Sequence, residues 1–96
     1  MADSRVVLVT GAAGGIGAAI TRALVIAGHS VAAVDRDAER LKRLATSGHI
    51  HPIIADLSSE AACREAVASA VAHFGRLDAV INNAGIGVSS LRPTGR

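Results

Sequence analysis

Four glycines, Gly11, Gly14, Gly15 and Gly17, follow directly on an apolar run, Val6-Val7-Leu8-Val9. Glycine has no Cβ, so at Gly11, Gly15 and Gly17 the backbone can turn tightly, enter positive φ and let a bulky anion approach the main chain. A helical pattern begins in the same stretch, and its unpaired N–H groups and positive dipole end would face that anion. The chemistry that fits is phosphate binding by backbone. Taken alone, the same loop also reads as a tight strand-to-helix turn. Polar groups recur after each later apolar run: Asp35 and Arg36, Asp56, then Asn82 and Asn83. Singly, Asp35 reads as a solvated loop carboxylate, Asp56 as a helix-start residue and the two Asn as turn residues.

The elements that must position these groups alternate. Val6–Val9 suits a strand buried on both faces of a parallel sheet. Ile16, Ala19, Ile20, Ala23, Leu24 and Ala27 recur at three- and four-residue steps, the expected inward stripe of a helix that stops at Gly28. Val31–Val34 is a second strand, ending at Asp35, and Asp37 can cap a helix running through Leu41 and Leu44 to Gly48. Ile50–Ala55 is a third strand, which Pro52 predicts to start late, around Ile53. Ser58 is the expected cap of a third helix, with Val67, Val71 and Phe74 facing inward and Gly75 as its end. Asp78–Ile81 is a fourth strand. This β-α-β-α-β-α-β series implies an α/β fold, a doubly wound parallel sheet with right-handed crossovers. In its dinucleotide-binding version the strand order is 3-2-1-4, which sets the Gly11 loop beside Asn83 at a topological switch point.

The general GxGxxG/A fingerprint fails, because Gly15-Ile16-Gly17 meets Ile20 at the final position. Another spacing is present. Thr10-Gly11-Ala12-Ala13-Gly14-Gly15-Ile16-Gly17 matches the TGxxxGxG motif, and Asn82-Asn83-Ala84-Gly85 the NNAG motif, of the short-chain dehydrogenase/reductase family, each after the expected strand. Asp56-Leu57 resembles that family's adenine-contacting position, and the resemblance runs from about Val6 to Gly87. It implies a Rossmann-like fold in which Gly11 makes the turn and Thr10 ties the loop to its neighbours. Gly15, Ile16 and Gly17 would bring backbone to a pyrophosphate, and Asn83, Ala84 and Gly85 would line a cofactor ribose. Asp35, about 20 residues past the loop, stands where a carboxylate accepts both adenosine ribose hydroxyls and repels a 2′-phosphate. NADP-preferring members carry a basic residue before the second motif glycine. Gly14 occupies that place here, so the chain resembles the NAD users, with Arg36 the one residue able to receive a phosphate.

The resemblance also defines what these residues lack. The family's acid/base is a Tyr assisted by a Lys four residues on, and this sequence has no tyrosine and a single lysine, Lys42, in the expected solvent face of the second helix. Family members are more than twice this length. Residues 1–87 therefore resemble an N-terminal cofactor-binding half, with 88–96 an irregular polar tail, and the substrate pocket and usual oligomer interface would lie in further chain. The competing readings are a stand-alone, non-catalytic nucleotide-binding module and a methyltransferase on a similar fold, against which the loop spacing and NNAG count. A fourth strand left at the sheet edge favours pairing with a second copy.

Bulk composition narrows the partners. A net charge of +2 with scattered Lys and Arg gives no basic stripe for nucleic acid or a membrane surface, although the pI is near 9.5. No segment approaches the ~20 apolar residues of a membrane helix. The single cysteine, Cys63, excludes an intrachain disulfide and fits a reducing, cytoplasmic setting; it is expected to be a small packed side chain. His49 and His51 share a strand face, but no third ligand is spaced beside them and no metal is expected.

Overall fold

All five residues of the first strand, β1 (Val6–Thr10), are buried, as an uninterrupted Val/Leu run covered on both faces should be. Strands β2 (Ser30–Asp35) and β4 (Ala79–Asn82) pair with β1 in parallel on either side, and β3 (Ile50–Ile54) pairs with β2. The order is therefore β3-β2-β1-β4, the expected 3-2-1-4. Helices α1 (Gly15–Ile26), α2 (Ala38–Leu44) and α3 (Glu60–Phe74) make the crossovers. The computed structural model describes residues 4–83. Helices α1 and α2 cover one face around Val7, Val9, Val31 and Ala33, while α3 covers the other around Leu8, Ala32 and Val34.

The helices form as expected but are rotated from the expected stripes. In α1 the buried residues are Gly17, Ala18 and Thr21; Ile20 and Leu24 of the expected stripe pack on the core edge with Val25, whereas Ile16, Ala19, Ala23 and Ala27 face outward. A Cβ on Gly17 would overlap the Gly11 carbonyl oxygen and come within 2.8 Å of its carbon. That contact fixes the rotation, and the small side chains at helical steps from Gly17 let α1 lie close to the sheet. Helix α3 shows the same preference: Ala66 and Ala70 are buried and Phe74 packs on the core as expected, whereas Val67 and Val71 are exposed. Its cap is Ser59, whose hydroxyl accepts from Ala62 N, rather than Ser58. Gly75 ends it at φ 84°, as expected.

Pro52 does not delay β3. Val31 N donates to His49 O and Ala55 N to Asp35 O, so odd-numbered residues bond β2 and Pro52 falls on the outward parity. On an edge strand the missing N–H costs no ladder bond. Helix α2 ends at Leu44, short of Gly48, and β4 runs Ala79–Asn82 rather than Asp78–Ile81. Asp78 instead stands before β4 and accepts from Val6 N at 2.8 Å and from Arg76 at 2.8 Å. The Arg76 hydrogen bond first, and the Val6 amide second, hold its carboxyl below the ordinary range.

The histidines separate. His49 precedes β3 and is exposed, whereas the His51 ring stacks on His73 of α3 with centroids 4.0 Å apart and planes 7° apart. Ser69 Oγ lies 3.2 Å from His51 Nε2, and Phe74 meets both rings edge-on. Burial first, and His73 second, lower the His51 pKa. An unfolded chain thus binds more protons than the folded one as pH falls below the ordinary histidine value of about 6.5, and stability falls with it. The urea midpoint is expected to drop between pH 7 and pH 5, and less so in His73→Gln; equal drops in both proteins would remove the stack as the cause.

Candidate functional site

Gly11, with φ 63°, turns the chain out of β1. Its carbonyl accepts from Gly14 N at 3.2 Å and from Asn83 Nδ2 at 3.2 Å, so the loop is closed on itself and tied to the end of β4. Beneath it the Thr10 hydroxyl donates to Asn82 Oδ1 at 3.0 Å, the tie to a neighbour that the sequence led us to expect. Ala12 N donates to Val34 O, anchoring the loop to β2 as well. Positive φ is confined to Gly11 among the four loop glycines; Gly15 and Gly17 are helical, and at Gly17 the lack of a side chain serves close approach to the Gly11 carbonyl instead.

The carboxyl ends of all four strands open onto one cleft of about 550 Å³. Gly11 and Gly14 line it after β1, Val34, Asp35 and Arg36 at β2, Ala55, Asp56, Leu57 and Ser58 after β3, and Asn83 after β4. Of the residues singled out from sequence, Gly11, Gly14, Asp35, Arg36, Asp56, Leu57 and Asn83 are thus brought together. Thr10 is buried below the cleft, Gly17 packs on the loop, and Gly15 and Ile16 are exposed in the first turn of α1. Ala84, Gly85 and the tail lie outside the described residues. The cleft walls Val34, Ala55 and Ser58 were not singled out; their place just before or after the strand ends was the available signal.

Two features give the cleft its chemistry. Helix α2 is capped by the Asp37 side chain and α3 by Ser59, but α1 begins at Gly14, which offers no side chain to its first-turn N–H groups, and that turn carries no acidic residue. Backbone donors and the positive dipole end remain available to an anion there. At the end of β2, Asp35 accepts from Ala13 N and Asp37 N. Gly15 then becomes informative. A Cβ there would have no atom within 4 Å, and its φ is not positive, so the fold does not require a glycine.

A family model described as short chain dehydrogenase matches residues 5–94. The chain belongs to the short-chain dehydrogenase family. It is 40% identical over 93 residues to an acetoacetyl-CoA reductase of Acinetobacter sp., covering 90% of this chain and 38% of that protein. It is also 40% identical over 89 residues to a D-threitol dehydrogenase of Mycolicibacterium smegmatis, covering 88% of this chain and 34% of the relative. Among solved structures it resembles a 3-ketoacyl-(acyl-carrier-protein) reductase from Brucella melitensis complexed with NADH, with TM-score 0.78 and 32% identity, covering 83% of this chain and 34% of that one. This short-chain dehydrogenase chain thus spans roughly a third of the length of its curated relatives.

Cys63, expected to be packed, is exposed near the start of α3. It borders a second, apolar hollow with Leu8, Val67 and Val80, formed because α3 leaves the β4 side of the sheet uncovered. The contrast between the two helical glycines gives a direct test of the loop. Gly17→Ala is expected to lower stability by about 1–3 kcal/mol, because backbone must move to admit the methyl. Gly15→Ala is expected to leave stability equal or raised by up to about 1 kcal/mol. Denaturant unfolding of the two variants measures this; equal losses would mean that both glycines serve the fold.

Proposed function

We propose that these residues form the NAD-binding portion of a short-chain dehydrogenase, an oxidoreductase acting on a carbonyl or an alcohol, whose catalytic Tyr and Lys lie in further chain. The observation that carries this reading is the convergence of all four strand ends on one cleft that sets an uncapped helix N-terminus against a carboxylate. When bound, the dinucleotide supplies hydride transfer at its nicotinamide. The chain's own residues bind and orient it. Gly11, Gly14, Gly15, Ile16 and Gly17 present backbone to the pyrophosphate, with Thr10 holding the loop to β4. Asp35 accepts the adenosine ribose hydroxyls, Asp56 and Leu57 border the adenine, and Asn83, with Ala84 and Gly85 beyond the described residues, borders the second ribose.

Asp35 and the neutral Gly14 favour NAD over NADP, since a 2′-phosphate would meet a carboxylate and no cation before Gly15. Arg36 lines the same cleft and is the residue that would recruit that phosphate if Asp35 were neutralised.

Isothermal titration of the folded 96-residue chain with NAD and NADP separately tests this. Saturable binding with NAD preferred is expected, and tighter NADP binding would overturn the cofactor assignment. Asp35→Ala is expected to weaken NAD about tenfold to a hundredfold, as loss of hydrogen bonds to a charged group does, and to narrow the gap to NADP. Gly15→Val is expected to abolish binding while circular dichroism stays unchanged, because its side chain fills space that only the ligand needs. A folded Gly15→Val that still binds NAD would reduce the loop to a turn.

A further inference from the structure

The two oxygens of Asp35 are engaged before any ligand arrives. Oδ2 accepts from Ala13 N at 3.0 Å and Oδ1 from Asp37 N at 2.9 Å. Ala13 lies in the middle of the glycine loop, and Asp37 is the cap of α2, its own carboxylate accepting from Arg40 N at 3.1 Å. One side chain at the end of β2 thus holds two of the loops that border the cleft, those after β1 and β2. The loop's other hydrogen bonds include Ala12 N–Val34 O, Gly14 N–Gly11 O and the Asn83 amide on the Gly11 carbonyl. None of these hydrogen bonds reaches Ala13, the residue leading into the phosphate-facing turn, whose methyl packs on the edge of the core. A carboxylate offers about four lone-pair sites, so two amides leave room for two hydroxyl donors.

We propose that Asp35 is a positioning residue for the phosphate-binding loop as well as a ribose acceptor: its carboxylate latches the loop at Ala13 in the ligand-free chain. The inference rests on the reading of the cleft as an NAD site and deepens it. The two ends of the cleft are coupled through one side chain, so replacing Asp35 to admit NADP also loosens the cradle for the pyrophosphate that both cofactors share. Local charge and loop order then pull in opposite directions. Removing a carboxylate beside an anion site strengthens anion binding by Coulomb's law, whereas loosening the cradle weakens it.

Inorganic pyrophosphate, which has no ribose, separates these effects. The wild-type chain, Asp35→Asn and Asp35→Glu are compared by amide hydrogen exchange without ligand and by chemical-shift titration with pyrophosphate and with NAD. Asparagine keeps one acceptor oxygen and turns an NH2 toward the other amide; glutamate keeps the charge but moves both oxygens by a methylene. Exchange at Ala13 is expected to rise about tenfold to a hundredfold in Asp35→Asn. Pyrophosphate affinity is expected to fall several-fold in the same variant despite the lost negative charge. Asp35→Glu is expected to speed Ala13 exchange as well, and it carries the test if Asp35→Asn does not fold. Wild-type protection of Ala13 in the variants, or pyrophosphate bound as tightly or more tightly by Asp35→Asn, overturns the latch. If the folded wild type binds neither pyrophosphate nor NAD, the cofactor reading fails by itself, and the exchange at Ala13 still decides whether Asp35 holds the loop.

Discussion

The carbonyl of Gly11 is the point on which the cleft end of the molecule turns. It accepts the Gly14 amide and the Asn83 side chain, and it lies so close to Gly17 that no Cβ fits between them. Backbone packed on backbone brings the start of α1 directly over the end of β1. That single approach fixes how far α1 is turned about its axis, and hence that Gly17, Ala18 and Thr21 face the sheet. It also decides where the first-turn amides sit relative to the strand ends. A methyl group at Gly17 would act on all of these at once, because the loop has no slack to absorb it.

The strand order then gives that contact its surroundings. β1 is central, so its carboxyl end has β2 on one side and β4 on the other, and the chain leaves it toward α1 while β4 arrives from α3. The Thr10–Asn82 hydrogen bond and the Ala12–Val34 bond hold the two flanks to the same short stretch. At the opposite end of the sheet, Asp78 ties β4 to the first residue of β1 and is itself held by Arg76. β4 is thereby pinned at both ends, although its outer edge is unpaired among the described residues and Val80 is half exposed.

Much of this was legible in the sequence. Short apolar runs, followed in turn by Thr10-Gly11, Asp35, Asp56 and Asn82, carry the strands, and their alternation with helical patterns carries the topology. Asp37 and Gly75 carry helix ends because the physics of capping is local. What the sequence misled about was helix rotation. Of the expected stripes in α1 and α3, Ile20, Leu24 and Phe74 pack on the core edge, yet the buried positions are Gly17, Ala18, Thr21, Ala66 and Ala70, because close packing on a sheet favours small side chains and periodicity does not record which face is closest. The His51–His73 stack was equally hidden, since it joins residues far apart in the chain whose proximity follows from α3 lying over β3. At the site, the motif residues were legible as a set, whereas the engagement of Asp35 with Ala13 was not: a side-chain-to-loop hydrogen bond leaves no periodic trace.

The cleft divides its chemistry by element. At the β1 end stand backbone donors and the positive end of α1, with no side-chain carboxylate in the first turn. At the β2 and β3 ends stand the carboxylates Asp35 and Asp56. An anionic group is favoured at the first; at the second the two carboxylates favour hydroxyl donors and oppose an anion, with Arg36 the one cation beside them among the described residues of the cleft lining. A ligand that carries phosphate and sugar at a fixed separation therefore has one favourable orientation, set by charge before any shape is considered. Because Asp35 also bonds the loop at Ala13, the two halves are joined by the protein itself, and the same hydrogen bond holds the carboxylate in place at the end of β2.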